Sequence, residues 1–91
     1  MDELIVWDED EGLEGNGSHV AENDLTRDDV EDVLRDESFA VHAYSRSSGH
    51  NATFGYTPAG EHIVVFWRED NDDPRVVYPV TAYRVPPRSR R

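Results

Sequence analysis

Polar and apolar positions follow two rhythms along the chain, and the switch between them falls at Phe39. Leu4-Ile5-Val6-Trp7 is a short apolar run closed by Asp8-Glu9-Asp10-Glu11-Gly12, which predicts a first strand whose aromatic end anchors the core. Residues 12–17 hold three glycines. Each disfavours helix by about 1 kcal/mol, so this stretch predicts an acidic, Gly-rich loop. Ser18 is placed to cap a short helix from His19 to about Asn23.

The strongest helix signature follows. Thr26 offers an N-cap oxygen, Asp29 stands three residues on in a variant of the capping box, and Asp28 and Asp29 meet the positive end of the helix dipole. Val30, Val33 and Leu34 form one apolar stripe, with Glu31, Asp32 and Arg35 turned outward, until Asp36-Glu37-Ser38 ends the helix.

From Phe39 the period is two. Phe39, Val41 and Ala43 alternate with Ala40, His42 and Tyr44. Ser45 to Asn51 is turn chemistry, Ala52 to Thr57 is a strand, and Pro58-Ala59-Gly60 is a tight turn. Ile63 to Trp67 is apolar on both parities, which predicts a strand near the middle of the sheet, covered on both faces. A turn over Asp70–Pro74 leads to a last strand, Val76 to Val85, in which Pro79 marks an edge or a bulge. The order predicts an α+β fold, with an N-terminal strand and two helices packed on an antiparallel sheet of about four strands. One domain spans residues 1–85, and residues 86–91 form a basic, mobile tail.

Ninety-one residues without a repeat leave room for one core. There is no cysteine, which removes disulfides, thiolate metal sites and a Cys nucleophile together. No apolar run reaches the ~18–20 residues needed to span a bilayer, and the N-terminus lacks the pattern of a signal peptide, so a soluble, cytoplasmic protein is expected. Charge is polarised: residues 1–45 carry a net −13 and residues 46–91 a net +2, for −11 in all. All nine basic residues are arginine. So acidic and Lys-free a chain fits a salt-adapted or high-GC source. The acidic half opposes nucleic acid at ordinary salt, but screening contracts to about 3 Å at 1 M.

The four histidines, at 19, 42, 50 and 62, form no helical pair and no cluster, so no metal is expected; His42 and His62 could still meet across the sheet. Phosphate-binding loops and nucleophile elbows are absent from the sequence. What remains is arginine in or beside strands: Arg46, Arg68, Arg75 and Arg84. Guanidinium groups stay charged and can give a phosphate two parallel hydrogen bonds. RNA cleavage through its own 2′-hydroxyl needs a base, an acid and a cation on the phosphorane, and His19, His42, His50, Glu61, Tyr44 and Tyr83 are available for the proton transfers. Composition alone favours the same arginines as surface ion-pair partners of the many carboxylates, worth about 0–1 kcal/mol each. The acidic helix reads as a solvated face or as a docking surface for a basic peptide.

An ordered series of short motifs resembles the BrnT-like toxins of type II toxin–antitoxin systems, within the broader RelE/ParE-like fold. It runs through Ile5-Val6-Trp7-Asp8, His19-Val20-Ala21-Glu22, Leu25-Thr26, Ser45-Arg46-Ser47-Ser48-Gly49, Phe54-Gly55-Tyr56-Thr57, Gly60 with the Ile63–Trp67 strand, and Val77 to Tyr83, covering about residues 4–85. The resemblance implies a RelE-like fold and a metal-independent, cofactor-free endoribonuclease, neutralised by a cognate antitoxin in a hetero-oligomer away from membranes. It implies phosphate binding by Arg46; the nuclease reading built on it expects proton transfer by Tyr83 or a histidine, with His19 near the site, and RNA contacts by Arg68, Arg84 and Trp7. Tyr83 stands where the family motif carries an arginine, and Asn23-Asp24 stands where a His-Gly is frequent. The alternative is a toxin-like module that binds or regulates without catalysis.

Overall fold

The computed structural model describes residues 4–8, 15–36, 43–45, 49–72 and 74–86. Seven elements follow in order: β1 (Leu4–Ile5), α1 (Asn16–Glu22), α2 (Arg27–Asp36), β2 (Ala43–Ser45), β3 (His50–Tyr56), β4 (His62–Asp72) and β5 (Arg75–Arg84). They form one five-stranded sheet in the order β1-β5-β4-β3-β2, with both helices on one side. The fold is α+β.

The four later strands pair antiparallel, as their alternation predicts. The N-terminal strand joins the sheet instead of packing on it. It lies parallel to β5, with Leu4 and Ile5 opposite Val76 and Val77, and the Val6 N–H extends the ladder to the Val77 carbonyl. Only Leu4 and Ile5 are strand; Trp7 leaves the ladder and packs, half-buried, against the core.

β4 is the central strand. Ile63, Val65 and Trp67 bury against Val20, Leu25, Val30, Val33 and Leu34 of the helical layer. Pro79 sits at a bulge: Phe66 faces Thr81 while Trp67 faces Pro79, so Val80 is the extra residue and no ladder bond is asked of the proline nitrogen. A second bulge at Asp70 carries β4 on to Asp72, opposite Arg75, so the turn is shorter than the Asp70–Pro74 stretch expected.

The α2 start follows the sequence signature closely. The Thr26 hydroxyl accepts from the Asp29 N–H at 3.1 Å, and the Asp29 carboxylate accepts from the Thr26 N–H at 3.0 Å. The first helix differs from expectation. It begins at Asn16, with Gly15 in the cap position and no side-chain cap, so Ser18 lies inside it and the predicted loop over 12–17 ends in helix. Long-range hydrogen bonds to Asn16, described below, outweigh the local preference of Gly17. A Cβ at Gly17 would stand 2.9 Å from the end of the flexible Arg27 side chain, which can swing aside. The stretch expected to run as a strand from Phe39 is described only at Ala43–Ser45; Phe39–His42 lie outside the described residues.

Candidate functional site

The outer edge of β5 is built from side chains of α1. β1 covers β5 only near Val76 and Val77. Beyond it, Asn16 Nδ2 donates to the Pro79 carbonyl at 3.0 Å, His19 Nδ1 lies 3.4 Å from the Val80 carbonyl, and Asn23 Nδ2 donates to the Ala82 carbonyl at 2.9 Å. Residues 16, 19 and 23 share one helix face, so α1 closes an edge that would otherwise present unpaired carbonyls. His19, expected near a catalytic centre, is thus an edge-covering residue.

Arg84 and Trp7 are likewise engaged in structure. Arg84 donates to the Asn23 and Asp24 carbonyls at 2.9 and 3.2 Å and to the Glu61 carboxylate at 2.9 Å. It thereby ties the C-terminal end of α1, where Asp24 is left-handed (φ 63°), to the end of β5. The Glu61 contact raises the Arg84 pKa further, keeping the group charged. Trp7 Nε1 donates to Glu31 at 2.7 Å, and the Arg27 guanidinium lies over its ring, 5.4 Å from the centroid. Both residues fasten α2 to the N-terminal segment.

Strand alternation sends a different set to the open face, opposite the helices. On β3 this set is His50, Ala52, Phe54 and Tyr56; on β4, His62, Val64, Phe66 and Arg68; on β5, Val76, Tyr78, Thr81 and Tyr83. Their contacts confirm it. Tyr56 stacks on His62 with centroids 4.6 Å apart, Phe54 lies 6.1 Å from His62, Phe66 lies 5.7 Å from Tyr83, and Arg68 Cζ lies 4.0 Å from the centre of Tyr78. Tyr56, Tyr83 and Phe54 remain 51%, 41% and 36% exposed, while Val64, flanked by Phe54 and Tyr83, is buried. Among the described residues no helix or strand covers this face.

Of the residues singled out in the sequence, His50, His62, Arg68 and Tyr83 share the open face. Arg84 points to the helical side, opposite Ile63, so the two arginines do not converge. Arg46 and His42 lie outside the described residues. Phe54, Tyr56, His62, Phe66 and Tyr78 were missed as a group. Their signal was present: on β3 and β4 the rings at 54, 56, 62 and 66 keep one parity, beneath an apolar run read only as buried on both faces.

Charge is segregated by side. Glu22, Asp28, Asp29, Glu31, Asp32, Glu61 and Glu69 lie on the helices or on the helix-facing parity of β4 and its approach. On the open face the described acids are both engaged: Asp70 accepts from Arg68 Nε at 2.8 Å, and Asp8, at the β1 end, accepts from the Tyr78 hydroxyl at 2.6 Å. That hydroxyl first, and the Asn16 N–H second, hold the Asp8 carboxyl below the ordinary carboxylate range; the same bond raises the Tyr78 pKa. Among the described residues no three His, Asp or Glu side chains group to hold a metal ion, and no helix is long and apolar enough to cross a membrane.

No family model matches the chain, and neither a curated protein nor a solved structure matches it.

Proposed function

We propose that this chain is a toxin-like binding module, one half of a toxin–antitoxin pair, and that it takes single-stranded RNA across the open face of its sheet. The observation that carries the reading is the acid-poor aromatic face on which Tyr56, Phe54 and Tyr83 stand exposed together with Arg68. Rings on such a surface stack on bases at about 1–3 kcal/mol per base, whatever the sequence. Successive same-face positions on a strand are about 7 Å apart, roughly twice the 3.4 Å rise of a stacked strand, so the face suits bases splayed one per row. The carboxylate-rich helical side faces away from the RNA and is the surface offered to a basic antitoxin. Support for the pairing with an antitoxin comes from the toxin-like motif series.

Cleavage of the bound RNA is the second reading, favoured by the Tyr83 hydroxyl on the same face. Val64, opposite Tyr83, is four residues from Arg68 along β4, about 13 Å, which places the two side chains on different phosphates. The resemblance gives the cation on the phosphorane to Arg46, which lies outside the described residues. His19 stands at the β5 edge and not on this face.

The test is fluorescence anisotropy with a fluorescein-labelled twelve-nucleotide oligouridylate, together with gel analysis of end-labelled RNA. Binding that Tyr56→Ala and Tyr83→Ala each weaken by about 5- to 100-fold is expected. Wild-type protein that leaves the oligonucleotide unbound at low salt overturns the proposal. Intact RNA after prolonged incubation supports the module without catalysis, whereas cuts abolished by both Arg46→Ala and Tyr83→Phe establish the second reading.

A further inference from the structure

The geometry points to Arg68 as the phosphate contact of the open face and to Asp8 as the positioning residue that aims it, acting through the ring of Tyr78. This rests on the RNA-binding reading above and deepens it.

An exposed arginine in mid-strand ordinarily samples many rotamers, and the entropy of fixing it opposes binding. Arg68 is fixed beforehand. Its guanidinium lies over the Tyr78 ring, and its Nε is taken by Asp70. The two terminal nitrogens have no hydrogen-bond partner among the described residues, and two parallel N–H donors match a phosphate. The ring beneath is fixed in turn. The Tyr78 hydroxyl donates to Asp8 Oδ2, which also accepts the Asn16 N–H at 3.0 Å, while the Asp8 N–H donates to Asn16 Oδ1 at 2.9 Å. Asn16 is 1% exposed and is held by its donations to the Val6 and Pro79 carbonyls. A continuous series of directed contacts therefore runs from the buried Asn16 through Asp8 and Tyr78 to an arginine on the surface.

The experiment measures oligouridylate affinity for the full chain as a function of KCl, because each phosphate contact in a single strand contributes a slope of about 0.7 in log K against log salt. Arg68→Gln is expected to lower affinity several-fold at 50 mM KCl and to reduce the slope by that amount. Tyr78→Phe, which keeps the ring and removes its tie to Asp8, should weaken binding in the same direction and flatten the slope in part; Asp8→Asn should do the same. Combining either with Arg68→Gln should add nothing further. A loss of packing alone would leave the slope unchanged. If Tyr78→Phe and Asp8→Asn bind with wild-type affinity and slope while Arg68→Gln weakens binding, the positioning role is overturned and the RNA face stands. If Arg68→Gln, Tyr56→Ala and Tyr83→Ala all bind as wild type does, the face itself is the error. Should Asp8→Asn fail to fold, Tyr78→Phe decides: losses that add to those of Arg68→Gln overturn the proposal.

Discussion

Asn16 and Asp8 exchange hydrogen bonds in both directions, and Asn16 spends its remaining donors on Val6 and Pro79. A single buried amide thereby joins the chain after β1, the start of α1 and the bulge in β5. Asn16→Ala would strand the Asp8 N–H and two carbonyls, so we expect a loss of about 2–4 kcal/mol, read as a lower urea midpoint at unchanged slope. The Asp8–Tyr78 bond adds a pH signature. Asp8's folded pKa is depressed, so its contribution is complete above about pH 4 and fades as pH falls through the folded value. Tyr78's folded pKa is raised, so its contribution is complete below about pH 10 and fades as pH rises through the folded value. The stability gap between wild type and Tyr78→Phe should be open at pH 7 and close toward pH 2 in urea titrations. A gap of constant size would show that the hydroxyl does not donate to an ionised carboxylate. None of this network was legible in the sequence: Trp7-Asp8 and Asn16 were visible as residues, but the Asn16 partner at Pro79 lies 63 residues away.

The elements divide by how local their causes are. α2 could be read in advance because its cap, its acidic first turn and its Val30/Val33/Leu34 stripe lie within nine residues, and Thr26→Ala should lower stability by about 1 kcal/mol through loss of the reciprocal cap. α1 could not, because its start is set by Asn16 and its edge-covering face by partners about sixty residues away. The fit of α2 against β3 is similarly non-local. Gly55 faces the helix, and a Cβ there would stand 2.9 Å from Val33 Cγ1, a stiff β-branched side chain in the buried core. Gly55→Ala should therefore destabilise by about 1–3 kcal/mol even though a strand interior otherwise prefers alanine to glycine, and Val33→Ala on the same background should recover part of it in thermal melts. Stability equal to wild type would mean that the helix rides farther from the sheet than described.

For the molecule as a whole, the sequence disclosed the central position of β4 but not the division of its residues into a buried face and an aromatic one. Strand pairing alone decides which side the helices take. The same division gives salt two opposed effects. With a net charge of −11 and the described acids gathered toward the helices, self-repulsion weakens the folded state at low ionic strength, where the screening length is about 10 Å at 0.1 M. Raising KCl to 1 M shortens it to about 3 Å, so the melting temperature should rise. RNA affinity should change only shallowly over the same range, because screening of the acidic side's repulsion offsets the counterion release of one arginine contact, and uncharged rings carry the bases. Calorimetry and anisotropy on one KCl series would show a rising melting temperature against a nearly level affinity. A melting temperature that falls with salt would mean that the ion pairs of Arg35, Arg75 and Arg84 outweigh the repulsion. A binding slope of several units would mean that RNA is held by a basic surface other than the aromatic face.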